Sequence, residues 1–537
     1  MTLAPRFLVN FWAGLRVARL ARRLRTAGYE IGAQRAALAR LIGSIGRTEF
    51  GRRHQVGPRS TYEEFRDRVP PRTYRWFEPH ICRMVAGEAG VLVPGKCPLF
   101  VKTAGTTGAP KLLPVPEVML AHYRVALRDS LFHYARRAGH AGVFLGRYVH
   151  LGASTAVTDL KGAYGTSLDG MLTLCLSPWV YANLRALPSA VAKLPEGAAK
   201  IAAAAEAVVR RDVTLLGGNP ASLRDLAAAV LEIHAPEPGR PRAPHLQAVW
   251  PNLECCLHTG APLGFLNEAL SKAVGPSVKL HEVYAAAEGI FAAQDTGTPA
   301  ALRLIADAGV FYEFLPLSSY KESTVEHAGS LCLPLEKIQP GVDYVLIVTT
   351  PAGLCRYVTD DIVRFVSASP PRLQFVGRTG LRLNAVGENV GERDVSDALH
   401  AVCTRNGWLP IDFHVAPYEQ RLGPGLVAQV HEWWLELGTH SVKTPMANVL
   451  GPELDTELAR RNPEYAVRRN RNLLGPPQIR LVMPGVFARW TDEQRKTASA
   501  GKLPRCRPDR LIADQLAALA PFHQTDLLSD KSSGTRY

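Results

Sequence analysis

The segment Thr103-Ala-Gly-Thr-Thr-Gly-Ala-Pro-Lys111 has the composition of a loop that could hold phosphate. Glycines let the backbone approach phosphate oxygens, hydroxyls and N–H groups donate to them, and Lys111 adds a positive charge. It follows the apolar run 99–103, which reads as a short strand. It is not a Walker A loop: counted from Gly105, Pro110 stands where the second glycine belongs and Leu112 where the hydroxyl belongs. Four other segments carry chemistry-bearing side chains. Tyr284-Ala-Ala-Ala-Glu288-Gly289 closes a predicted strand with a ring and a carboxylate four residues apart. Arg356-Tyr-Val-Thr-Asp-Asp361 ends another strand on an acid, and Phe375-Val-Gly-Arg378-Thr-Gly380 follows it. Gly501-Lys502-Leu-Pro-Arg505 sits in an irregular polar stretch. Taken singly, each has a plainer reading: Glu288 as a surface acid, Asp361 paired with Arg356 or Arg364, Lys502 as a solvated lysine. Other chemistries are absent from the pattern. Gly165-Thr-Ser167-Leu-Asp169 fails the nucleophile-elbow motif at its last position, no HExxH occurs, and the sixteen histidines show no metal-ligand spacing.

The elements that must position these residues fall into three stretches. Helices and turns fill the first ninety residues, where TYEEFRDRVP (61–70) has the form of a capped helix ended by Pro70 and Pro71. An Ala-rich helical region is predicted over 186–210, then a strand at 213–216 and a helix at 221–233. LECCLHTG (253–260), a helix over 263–274 and VKLHEVYAAAEG (278–289) complete a strand–helix–strand order, the mark of a parallel, helix-covered sheet. After residue 308 come consecutive strands broken by turns: VFYEFLPL, DYVLIVTTPAG, CRYVTDDIVRFV and RLQFVGRTG. These predict an antiparallel sheet or small barrel over about 308–378. From about 382 a second mixed region begins, with helices at 390–404 and 451–461. We expect a domain over 1–378 and another over 379–537, since 537 residues are too many for one core.

The bulk numbers exclude several classes. No stretch approaches the roughly 20 apolar residues that a membrane span needs, so no stable membrane insertion is expected. The arginine-studded N-terminal stretch to Gly28 reads as a docked amphipathic helix, with a membrane-surface helix as the alternative. Nine scattered cysteines without a CxxC pair point to a reducing, cytoplasmic setting, and the adjacent Cys255 and Cys256, in an apolar segment, read as buried thiols. The net charge of +15 is spread along the chain without basic–aromatic interleaving, so nucleic acid is not an expected partner.

In this order and spacing the motifs resemble the adenylate-forming superfamily. More specifically, they are similar to the acyl-acid amido synthetases of the plant auxin-responsive Gretchen Hagen family and bacterial relatives. VFYEFLPL, VTTPAGLCRYVTDDIVRF, LDTELARRNPEYAVRR and LGPPQIRLVMPGVFARW look like segments of that family too, so the likeness covers nearly the whole chain. The resemblance implies an α/β and α+β multidomain, firefly-luciferase-like fold, with a large N-terminal domain and a small mobile C-terminal domain. It implies an enzyme that uses ATP and Mg²⁺ to convert a carboxylic acid to an acyl adenylate and passes the acyl group to an amine, such as that of an amino acid. Transfer to coenzyme A and a catalytically weakened nucleotide-binding relative are the alternatives.

Residue by residue, Thr103, Gly105, Thr106, Thr107 and Gly108 match the family's phosphate loop, with Lys111 at its end. Gly260, Ala261 and Pro262 match the loop bordering adenine, and Tyr284 the ring on the nucleotide. Glu288 matches the Mg²⁺ carboxylate, Asp361 the ribose acid, and Arg378 a hinge residue reaching ribose or phosphate. Lys502, Glu288 and Thr106 form the implied catalytic set. Tyr123, His150, Trp179 and Tyr181 are candidates for lining the acyl pocket. Three positions depart from the family pattern: Ala104 and Ala287 stand where serine is usual, and Asp360 where glycine is usual. Each lost hydroxyl removes a contact of about 1 kcal/mol.

Overall fold

The computed structural model describes residues 6–103, 110–176, 178–234, 242–259, 266–297, 301–423, 426–438, 447–496 and 503–520. The chain divides into two compact units, the larger within Met1–Ala104 and Pro110–Thr379, the second within Gly380–Tyr537.

The larger unit is organised on one mixed sheet of eleven strands. Its parallel part runs Arg147–Leu151, Val213–Gly218, Cys255–Thr259, Lys279–Ala286 in spatial order. Gly289–Gln294 and Leu302–Leu304 then pair antiparallel and lead on to Pro371–Arg378, Tyr357–Ala368, Asp343–Thr349 and Phe311–Pro316, with Leu333–Pro334 at the edge. The strands after residue 308 therefore form no separate barrel. The link is made by Gly289–Gln294 and Leu302–Leu304, two strands the sequence reading did not predict.

Alternation of side chains sets the two cores. Cys255 faces the layer with Tyr134 and Phe291, while its neighbour Cys256 faces Leu216, Leu223 and Val274. Burial pushes the Cys256 thiol up to about 12, so both sulfurs are inert packing groups, as the adjacent pair suggested. The helix Tyr62–Arg68 starts on a reciprocal capping box between Thr61 and Glu64, as its sequence predicts. The expected helix over 186–210 is broken into Ser189–Ala192 and Ala198–Val208, because Pro195 lacks an N–H and Gly197 sits at φ +143.

Helix Arg6–Arg23 docks as expected, but through few residues. Ala13 and Leu20 are buried, whereas Phe7, Leu8, Phe11, Trp12 and Leu15 remain exposed. No described helix is long and apolar enough to cross a membrane.

In the second unit, helices Glu392–Asn406 and Ala447–Arg461 accompany a three-stranded sheet ordered Pro410–Gly423, Leu426–Leu437, Gln478–Val482. A short hairpin joins Arg382–Leu383 to Val390–Gly391.

Candidate functional site

Four of the motif residues converge in the larger unit. Asp361 lies opposite Arg378 across two neighbouring antiparallel strands. Its Oδ1 accepts from Arg378 Nε at 3.1 Å, and its Oδ2 accepts from the Tyr284 hydroxyl at 2.5 Å. Tyr284 lies on a strand separated from that of Asp361 by three others, its ring packed edge-on to Phe291 and tilted against Phe375 at centroid distances of 5.2 and 5.7 Å. Asp361 is almost fully buried, so both contacts are charge-assisted in a poorly solvated setting. A carboxylate offers about four acceptor positions, and these contacts occupy two. The plainer pairings do not form: Arg356 is bidentate to Glu313 at 2.8 and 2.9 Å, and Arg364 pairs with Asp343.

Glu288 does not end a strand. It occupies the two-residue turn Ala287–Glu288 of a hairpin whose strands pair at Ala286 and Gly289. The turn is fastened from helix Glu117–Ala138. Tyr123 donates its hydroxyl to the Ala287 carbonyl at 2.7 Å. His122 donates from Nδ1 to the Ala308 carbonyl (2.9 Å), while its Nε2 accepts from the Ile290 N–H (3.1 Å). Burial lowers the His122 pKa to about 4, which keeps the ring neutral and able to accept. Tyr123 is thus no pocket-lining residue: it is fully buried and spends its hydroxyl on the turn. Neither His122 nor this use of Tyr123 was legible in the sequence, since their partners lie over 160 residues away.

Burial, and next the charge of Asp361, push the Glu288 carboxyl up to about 7, with Lys111 and Arg378 opposing too weakly to offset them. The Tyr357 hydroxyl is fully buried and makes no hydrogen bond of normal geometry among the described residues, and burial, followed by the Glu288 charge and a loose contact with that carboxylate, holds the phenol well above its usual range. A carboxylate at this pKa beside an unsatisfied hydroxyl is an arrangement that an added cation and its oxygen ligands would relieve. No cluster of three metal-ligating side chains exists among the described residues, so a Mg²⁺ here would take Glu288 plus substrate oxygens and water.

Thr103 and Lys111 close the base of the loop between them. Thr103 N donates to the Lys111 carbonyl (2.9 Å), and Lys111 N donates to Thr103 Oγ1 (3.0 Å). The Lys111 ammonium lies 3.4 Å from Asp360 and 5.5 Å from the Tyr74 ring centroid. Asp360 adopts φ +68, a conformation that glycine takes without strain. Burial raises its carboxyl pKa, against the pull of Lys111.

Gly105, Thr106, Thr107, Gly108, Gly260, Ala261, Pro262 and Lys502 lie outside the described residues, as do Ala104 and the Trp179 side chain. Tyr181 bonds Ser189 at 3.3 Å beneath the Arg185 guanidinium. His150 bonds Asp169 at 2.6 Å at the carboxyl end of the edge strand Arg147–Leu151.

Family models for the GH3 N-terminal, central and C-terminal domains match residues 28–238, 303–378 and 393–510. The GH3 domain-containing protein of Homo sapiens is 30% identical over 283 residues, covering 51% of this chain and 51% of that protein. The indole-3-acetic acid-amido synthetase GH3.4 of Arabidopsis thaliana is 28% identical over 208 residues, covering 36% of this chain and 34% of that protein. The chain thus spans about half the length, or less, of the curated relatives it matches. Among solved structures, the GH3.15 acyl acid amido synthetase in complex with 2,4-DB superposes with a TM-score of 0.74 at 18% identity, over 94% of this chain and 96% of that one. A 2-hydroxyisobutyryl-CoA ligase in the postadenylation state gives 0.53 at 14% identity, over 93% and 94%. The fold is the adenylate-forming one, with its large N-terminal domain, as the motifs implied.

Proposed function

Because the chain belongs to the GH3 family, we propose that it is an ATP-dependent acyl-acid amido synthetase. It joins a small carboxylic acid to the amine of an amino acid, in a reducing cytoplasmic setting that would keep its nine free cysteines as thiols. The observation that carries this reading is the convergence of Tyr284, Asp361 and Arg378 beside the turn bearing Glu288.

In the first half-reaction the substrate carboxylate attacks the α-phosphate of ATP, pyrophosphate leaves, and an acyl adenylate forms. Asp361 has the acceptor capacity left to take ribose hydroxyls while Tyr284 and Arg378 hold its orientation. Tyr284 offers the nucleotide a ring already fixed by Phe291 and Phe375. Glu288, once ionised, would hold Mg²⁺, whose role is to offset charge on the phosphates. Thr103, Gly105, Thr106, Thr107 and Gly108 would supply N–H and hydroxyl donors to those phosphates, with Lys111 leaving Asp360 to add its charge. Gly260, Ala261 and Pro262 would border the adenine. In the second half-reaction an amine attacks the anhydride carbonyl and AMP leaves.

Lys502 is assigned to charge developing during adenylation, and the 379–537 domain is taken as the mobile one that delivers it. Replacing such a donor costs about 10²–10³ in rate. Lys502→Ala should therefore slow adenylate formation while sparing transfer from preformed acyl adenylate.

One experiment tests the whole reading: pyrophosphate release over a panel of carboxylic acids, with products weighed after adding amino acids or coenzyme A. The amide mass is expected. A coenzyme A thioester alone would move the protein to the acyl-CoA ligases, and no acid-dependent pyrophosphate release would leave a nucleotide-binding relative without turnover.

A further inference from the structure

Helix Arg6–Arg23 carries a feature that the adenylation chemistry does not use. With 3.6 residues per turn, Phe7, Phe11 and Leu15 share one face, with Leu8 beside them. These four are 69%, 66%, 45% and 49% exposed, respectively, a dense apolar crest on a single helix. Soluble surfaces rarely group large side chains so closely without a use for them. The crest is held outward by the opposite face. There Ala13 and Leu20 are buried, while at the flank the half-exposed Trp12 meets Phe132 at a centroid distance of 5.9 Å and Arg23 bridges Asp129 and Asp307 at 3.0 and 3.1 Å.

Charge identifies what the crest fits. The first 29 residues contain six arginines and no acid. Of these, Arg19 and Arg22 are exposed on the continuation of the crest, and Arg16 lies over the Trp12 ring at 5.6 Å. Aromatic and aliphatic side chains on one arc, with guanidinium groups along it and at its flank, suit the boundary between acyl chains and anionic headgroups. A second copy of this chain would instead bring arginine against arginine if the same face met itself.

We propose that this helix attaches the protein peripherally to membranes bearing anionic lipid. Phe7, Leu8, Phe11 and Leu15 enter the headgroup boundary, and Arg19 and Arg22 meet lipid phosphates. The inference is independent of the adenylation reading, because the crest lies on a helix that contributes no residue to that site.

The test is co-sedimentation of the full chain with vesicles of phosphatidylcholine alone or mixed with phosphatidylglycerol, at low and high salt. Binding to the mixed vesicles is expected to exceed binding to the neutral ones by about tenfold or more and to weaken with salt. Phe7→Ser with Phe11→Ser should lower it by about tenfold or more while melting temperature and acid-dependent pyrophosphate release stay unchanged. Arg19→Glu with Arg22→Glu should lower it similarly and flatten the salt dependence. Failure of the wild-type chain to sediment with mixed vesicles, or equal binding by both variants, would overturn the proposal. A concentration-dependent dimer that F7S/F11S dissolves, without vesicle binding, would also overturn it and assign the crest to a second copy.

Discussion

Two glutamates in different units show what burial does and does not decide. Glu388 is fully buried, in the turn between Arg382–Leu383 and Val390–Gly391. Glu288 is partly buried, in the turn between two strands of the large sheet. Desolvation alone would raise both. Glu388 accepts from the N–H groups of Ala385 and Val386 at 3.1 and 2.8 Å and meets His431 Nε2 at 3.0 Å. Those bonds overcome burial and bring its pKa down to about 2. For Glu288 burial is joined by the charge of Asp361, and Lys111 and Arg378 offset them too weakly, so its pKa stands near 7. Both acids are desolvated, and the one with the stronger partners is the more firmly ionised. Partners decide the charge, and a carboxylate whose partners fall short is the one prepared for an added cation.

The contrast predicts stability effects of opposite sign. The largest belongs to Glu388→Ala, which leaves His431 and two N–H groups unanswered and should cost about 3–5 kcal/mol. Because the folded pKa lies below the ordinary 4.5, this stability is present above about pH 4.5 and is lost as pH falls toward 2. Calorimetric melting should therefore show wild type and variant converging in acid. A constant gap would mean that packing, not charge, is what the residue supplies.

Glu288→Gln should do the reverse. The folded state disfavours ionisation, so stability lost by wild type as pH rises from 4.5 to 7 is retained by the variant, which should melt higher above pH 7. Its Mg²⁺-supported adenylation should nevertheless fall about 10–100-fold. A variant that melts lower and reacts normally would make Glu288 a structural acid like Glu388.

The neighbouring acids sharpen the comparison further. Asp361→Ala should weaken ATP binding by about 1.5–3 kcal/mol in calorimetry, with the fold kept. The smallest effect is expected at Asp360, which holds Lys111 in a partly exposed pair. Asp360→Gly frees that lysine and suits the φ of +68, so the KM for ATP should fall severalfold, the equivalent of about 1 kcal/mol. A raised KM would show that Asp360 assists binding.

Tyr284, Asp361 and Arg378 were legible because they lie in apolar runs whose strand character needs no tertiary information, although Asp361 falls inside the strand Tyr357–Ala368 and not at a strand end as expected. What surrounds Glu288 was not. Gly289–Gln294 is buried along its whole length and half alanine and glycine, so it shows neither alternation nor β-branched enrichment. Leu302–Leu304 is too short to stand out. With those strands unseen, the hairpin turn read as a strand end and the antiparallel strands as a separate body. Tyr123 read as a candidate pocket residue and His122 as a helix residue of no particular role, since the backbone groups they hold come from a distant segment. The outward crest of helix Arg6–Arg23 was hidden for the opposite reason: its spacing is that of any docked helix, and only the fold reveals that the apolar face is left uncovered.

The measurement that bears most directly on the account is acid-dependent ATP–pyrophosphate exchange followed across pH at limiting and saturating Mg²⁺. Below about pH 7 Glu288 takes up a proton and loses its hold on the cation, so exchange at limiting Mg²⁺ should fall on the acid side of that value. Raising Mg²⁺ should move the limb to lower pH, and in Glu288→Gln the limb should vanish. Exchange that needs no carboxylic acid, or an acid limb that neither Mg²⁺ nor the loss of Glu288 displaces, would contradict the account.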